Sequence, residues 1–179
     1  MSYLTFSHLG ESGGMCSQLQ SYASLLAVAK ANNKEIVFSE SMFSKGCSIK
    51  IFDLLNITPN IKPDSFFSDF KLKNIDFHTT QYDESLFNLD ESNYDLNGRF
   101  DLYTYWYNDI KETIDNWEFK TDLQVQAINR LNEIKEKFGN KPTVSIHIRR
   151  GDYMLPQNQS LAELKNDYYL EALVGNFKP

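Results

Sequence analysis

The chain opens with an apolar-polar alternation. Residues 3–7 (Tyr-Leu-Thr-Phe-Ser) are rich in aromatic and β-branched types, the pattern of a strand. Gly10, Gly13 and Gly14 follow, and at Met15 the period changes. Met15, Leu19, Tyr22, Ala23, Leu26 and Ala29 recur at three- and four-residue steps, the stripe of an amphipathic helix. Asn32-Asn33 ends the stripe, and residues 35–39 return to strand character with Ile36, Val37 and Phe38. Strand, glycine loop, helix and strand predict a βαβ unit with parallel strands and a right-handed crossover.

The pattern weakens over residues 40–100, where it predicts a short helix within 49–55 and one short strand near 75–78. Over 108–117, Ile110, Ile114 and Trp117 fall on one helical face. The most regular helix is 122–138, with Leu123, Ala127, Ile128, Leu131, Ile134 and Phe138 on one side. Thr121 or Asp122 can cap its start and Gly139 can end it. Lys141-Pro142 breaks the chain ahead of a predicted strand at 143–148, and 167–174 predicts a last helix. Strands alternating with helices make this an α/β chain with a Rossmann-like, largely parallel sheet.

Composition narrows the function. The chain has 179 residues and a formal charge of −6, which argues against general nucleic-acid binding or adhesion to anionic lipid. Two cysteines, Cys16 and Cys47, form no CxxC pair, and the three histidines are scattered, so neither a disulfide framework nor a zinc site is expected. No secretory leader or long apolar run is evident, and the expected location is the cytoplasm.

Two segments then stand out, both where strands of an α/β fold give way to loops. The first is 10–18, whose glycines let a backbone approach a ligand at the N-terminus of a helix. Taken alone, a glycine-rich loop is a weak signal, and a plain tight turn is the favoured explanation. The second is 147–153, His-Ile-Arg-Arg-Gly-Asp-Tyr. Guanidinium groups present a planar fork that matches phosphate oxygens and stays charged. Gly151 allows a turn and Asp152 can orient an arginine. A surface ion pair at a strand end, or an exposed Arg-Gly-Asp adhesion tripeptide, are the competing readings. His147 is either a satisfied polar residue or a hydrogen-bonding partner of the ligand or of Asp152.

Residues 147–153 resemble the H-x-R-R-G-D-Y motif of the bacterial α-1,2-fucosyltransferases, glycosyltransferase family 11. The run 13–23, Gly-Gly-Met-Cys-Ser-Gln-Leu-Gln-Ser-Tyr-Ala, is similar to the family's G-G-x-G-N-Q-x-x-Q-Y-A segment, with Cys16 and Ser17 in place of glycine and asparagine. Residues 49–57 resemble its L-x-x-F-x-I region, and 96–110 resemble its G-Y-x-Q-S-x-x-Y-F segment without the glutamine.

The resemblance implies the first domain of a GT-B-like glycosyltransferase over 1–140, on the acceptor side, and the start of the nucleotide-sugar domain over 141–179. Family members continue past this point, so the chain is expected to correspond to an N-terminal portion. The implied reaction is inverting transfer of fucose from GDP-L-fucose to a galactoside hydroxyl, in surface glycan synthesis. Arg149, Arg150 and Asp152 are the implied catalytic residues. Gly13, Gly14, Ser17, Gln18, His147, Arg149, Arg150 and Tyr153 are the implied contacts to the nucleotide sugar. With no D-x-D present, no metal and no other cofactor are expected. The partners are the donor and an acceptor glycan, with no nucleic acid, and peripheral association with the inner membrane fits the reading. Two alternatives remain open: a non-catalytic fragment or pseudo-enzyme that binds a sugar or a protein, and a related transferase using another nucleotide sugar.

Overall fold

The structure, a computed structural model, describes residues 2–10, 14–44, 51–77, 82–98, 102–139, 141, 143–146 and 171. The chain forms two compact units, Met1–Asn132 and Glu133–Pro179. In chain order the helices and strands are β1 (Tyr3–Thr5), α1 (Met15–Ala31), β2 (Glu35–Ile36), β3 (Phe38–Ser39), α2 (Glu40–Ser44), α3 (Ile51–Leu54), β4 (Ile61–Lys62), α4 (Asp64–Ser68), β5 (Leu72–Phe77), β6 (Asn93–Gly98), α5 (Tyr107–Asp115) and α6 (Thr121–Phe138).

The first unit is built on a four-stranded sheet of order β2-β1-β6-β5, parallel throughout. A second parallel ladder joins β3 to β4. Val37 lies between β2 and β3, and there the chain changes partner. Its N–H donates to Leu4 O (3.1 Å), whereas the next N–H, of Phe38, donates to Asn60 O (2.9 Å). This is a Rossmann-like arrangement, and β1-α1-β2 is the expected βαβ unit. β1 is shorter than the alternation suggests, because the chain turns after Thr5, with Leu9 N donating to Phe6 O at 3.2 Å.

α1 begins at Met15 and stops where the asparagines predict. Lys34 N donates to Ala29 O (2.9 Å) and Asn33 N to Lys30 O (3.2 Å), the paired bonds of a Schellman end. The motif needs a left-handed residue, and Asn33 supplies it at φ 50°. Asn32 fixes the turn to a distant loop, donating to Leu86 O (2.7 Å) and accepting from Leu89 N (2.6 Å).

The core lies between the sheet and α1, with Leu4, Leu25, Val28 and Leu96 fully buried. Each such aliphatic side chain contributes roughly 1.5–3 kcal/mol through burial. α1 is buried on more than its apolar stripe, Ser21 and Ser24 included. Its outer face also packs, with Ala23 and Ala27 against Ile110 of α5. At the amino edge of the sheet, Lys34 is buried. Its Nζ donates to Ser2 Oγ (3.0 Å), Asp90 O (2.7 Å) and Ser92 O (2.8 Å), tying three segments together. Burial pushes the Lys34 ammonium below its ordinary pKa, against the opposing pull of Glu91 and Asp90.

The structure departs from the pattern at several places. β6 is a central strand that the sequence reading did not find, and β4 and α4 were not expected either. β5 is longer than the strand predicted near 75–78. Conversely, residues 143–146 form no strand, and Val144 and Ile146 are exposed. Alternation alone makes no strand: the ladder needs a partner, and 143–146 have none among the described residues. α6 is as long as predicted, and Gly139 follows it at φ 75°, donating to Lys135 O at 2.7 Å. None of its described side chains is buried, and Ile128 is 56% and Leu131 40% exposed. In the second unit, Glu171 is helical.

Candidate functional site at the strand ends

Two features lie at the carboxyl ends of the parallel strands. The first is the start of α1. Gly14 is its N-cap, in an extended conformation (φ −81°, ψ −176°), and no side chain caps the helix. The first-turn N–H groups have no carbonyl partner within the helix, so they favour an anion or an ordered oxygen. Nothing in the described fold requires glycine here. The φ is negative, and a Cβ built on Gly14 meets no atom within 4 Å. Ser17 is half-buried in the first turn, and Gln18 is buried, with its N–H donating to Gly14 O at 3.1 Å.

The second feature is a cavity of about 270 Å³ on the sheet face opposite α1. Thr5, Ser7 and Asp95 line it from the sheet, Ser39 and Ser41 from the end of β3 onward, and Asp64 from the start of α4. Met42, Phe67 and Leu72 supply its apolar part. Asp95 accepts from Ser7 N (2.9 Å) and Ser7 Oγ (2.6 Å). Asp64 accepts from Ser41 N (3.1 Å), and the hydroxyls of Ser39 and Ser41 are 2.9 Å apart. Hydroxyls and carboxylates fixed in this way can exchange hydrogen bonds with a polyhydroxylated ligand.

Register explains why this face is polar. Thr5 pairs with Asp95, Asn74 with Asp95 and Asp76 with Asn97. Residues in register project to the same side, so Thr5, Asn74, Asp76, Asp95 and Asn97 share a face. Asn97 Nδ2 donates to Asp76 Oδ1 at 2.7 Å. Parallel sheets are ordinarily apolar on both faces. Here only Tyr3, packed edge-on against Phe66 and Phe70, and Leu72 break the polar series.

A larger depression of about 430 Å³ lies beside Trp117, lined by residues of helices and loops such as Tyr22, Asn56 and Asn116. Among the described residues there is no group of three or more His, Cys, Asp or Glu that could hold a metal ion. No described helix is long and apolar enough to cross a membrane.

Of the residues singled out in the sequence, the structure places Gly14, Ser17 and Gln18 together at the start of α1. Gly13, His147, Arg149, Arg150, Asp152 and Tyr153 lie outside the described residues. The sequence reading missed Ser7, Asp64 and Asp95. The one signal for Asp95 was the alternation Asn93-Tyr94-Asp95-Leu96-Asn97, in which Tyr94 and Leu96 are the buried members.

Comparison with known proteins returns one family model, Glycosyl transferase family 11, over residues 9–179. Neither a curated protein nor a solved structure matches. The matched span includes the glycine run before α1 and the His-Ile-Arg-Arg-Gly-Asp-Tyr segment. The chain therefore belongs to glycosyltransferase family 11, and the chemistry it serves is glycosyl transfer of the fucosyltransferase type.

Proposed function

We propose that the protein transfers L-fucose from GDP-β-L-fucose to the 2-hydroxyl of a galactoside, with inversion, in bacterial surface-glycan synthesis. The observation that carries this reading is the family match over 9–179, which takes in both motif segments. The acceptor oxygen attacks the anomeric carbon from the side opposite the diphosphate. The bond from that carbon to the diphosphate oxygen breaks, GDP leaves with the electron pair, and the acceptor hydroxyl gives up its proton to solvent.

The chemical demand is charge building on the departing diphosphate. Fixed donors aimed at it answer that demand, and losing one typically costs ~2.7–4 kcal/mol of barrier. Arg149 takes that role through its planar fork, Arg150 assists and Asp152 orients them. His147 and Tyr153 complete the nucleotide-sugar contacts of that motif. Gly13, Gly14, Ser17 and Gln18 are assigned further contacts to the nucleotide sugar, and the uncapped helix start at Gly14 suits an anionic group. The arginines replace a metal, and the protein acts in the cytoplasm, at the periphery of the inner membrane.

The test is a donor screen. GDP-fucose, other GDP-sugars, UDP-sugars and dTDP-sugars are offered with a β-galactoside acceptor. Product formed from GDP-fucose, with the new linkage read by NMR as α-1,2, supports the reading. Turnover of a UDP- or dTDP-sugar instead replaces the donor. Failure with all of them favours a non-catalytic binding protein.

A further inference from the structure

The geometry points to the cavity between β1, β6 and α4 as the site that seats a pyranose ring of the acceptor glycan. The inference rests on the acceptor being a galactoside, as proposed for the function. Three observations support it.

The first is the split character of the lining. A pyranose has a rim of hydroxyls and patches of C–H surface. The cavity lining combines two carboxylates, Asp64 and Asp95, and four hydroxyl-bearing side chains with an apolar part formed by Met42, Phe67 and Leu72. The second is size. About 270 Å³ falls just below the roughly 300–1,000 Å³ range of sites for drug-sized ligands, so it suits one ring rather than an extended chain. The third is pre-organisation. Both oxygens of Asp95 are already oriented by Ser7, and each retains a second lone pair for an incoming hydroxyl proton.

A simply solvated sheet face explains these facts less well. Solvation accounts for exposed Asn74 and Asp76, but it gives no reason for a concave site in which Thr5 is buried and three apolar side chains lie beside two carboxylates. The neutral sugar also fits the charge: ionised carboxylates repel phosphate and accept from hydroxyls. This cavity is therefore assigned to acceptor rather than donor.

Amide chemical-shift mapping with methyl β-D-galactopyranoside on the protein tests the assignment directly. The amides of Ser7, Ser41 and Asp95 should shift in a saturable manner, and glycerol at equal concentration should not reproduce it. Asp95→Asn should weaken the binding by on the order of tenfold or more, the effect of losing one hydrogen bond to a charged group. Because that change also disturbs Ser7, Asp64→Asn, at the exposed start of α4, serves as a second variant with the same expectation. In the active enzyme, both changes should raise KM for the acceptor and leave KM for the donor unchanged. Shifts confined to other regions, or variants that bind like the wild type, overturn the site. Galactoside binding here without any fucosyl transfer would instead overturn the proposed reaction and leave the site standing.

Discussion

Ser7 and Asp95, 88 residues apart, are joined twice: the Ser7 N–H and hydroxyl both donate to the Asp95 carboxylate, at 2.9 and 2.6 Å. The pair locks the chain just beyond β1 to the middle of β6. It also fixes the carboxylate that faces the cavity.

Ser7→Ala removes the hydroxyl donor and leaves the backbone one. The expected loss is about 1.5 kcal/mol of folding stability, the lower end for a hydrogen bond to a charged group, because the position is only half-buried. Urea unfolding at neutral pH measures it. A midpoint equal to that of the wild type would show that the pair does not tie the two strands energetically.

Asp90 gives a pH dependence. Lys73 Nζ (2.6 Å), Ser92 N (2.8 Å) and the Tyr94 hydroxyl (2.9 Å) all donate to its carboxylate. The Lys73 contact first, and then the others, hold its carboxyl well below the usual range. A folded pKa below the unfolded value of about 3.9 means a contribution present above that pH and lost as pH falls through the folded value. Asp90→Asn should therefore be less stable than the wild type at pH 7, with the gap closing as pH is lowered from 4 towards 2. Added salt should narrow the pH 7 gap, since the pair is exposed. A gap independent of pH would show that the ionised carboxylate is not what stabilises this turn.

Gly14→Ala separates folding from ligand approach. The added Cβ meets open space, and φ is unexceptional. Alanine is a poorer N-cap than glycine, so a stability loss below about 1 kcal/mol is expected. If the nucleotide sugar approaches this backbone closely, KM for the donor should rise by about tenfold or more, out of proportion to the small change in Tm. Unaltered donor kinetics would return the glycine run to the role of a turn.

Arg149→Lys keeps the charge and removes the planar fork. Loss of an aligned transition-state donor should lower kcat/KM by on the order of 10²-fold or more, with Arg150→Lys milder. Circular dichroism establishes that each variant is folded. A folded Arg149→Lys enzyme with near-normal turnover would take Arg149 out of the catalytic role.

Transfer should persist in EDTA, because the leaving diphosphate is assigned to arginines and the chain has no D-x-D pair. Activity lost to EDTA and restored by manganese would overturn that assignment.

The parts of this protein whose cause is local are legible in the order of its residues. α1 is legible because its apolar spacing and its asparagine end act within one or two turns, and the Asn33 left-handed turn is a property of that residue type. The βαβ order follows from the change of period at Met15. β6 owes its place to long-range pairing instead. Asn93, Asp95, Asn97 and Gly98 are poor strand formers, yet Asn93 accepts from Tyr3 N (2.9 Å) and Asp95 from Ser7, partners about ninety residues away. No window of sequence contains those partners, and the alternation of Tyr94 and Leu96 with polar residues is too weak by itself to reveal the strand or the cavity it lines. The reverse holds for 143–146 and α6, where alternation and an apolar stripe are plain in the sequence. Periodicity states which side chains would share a face. Whether that face is buried depends on what packs against it, and that is settled only in three dimensions.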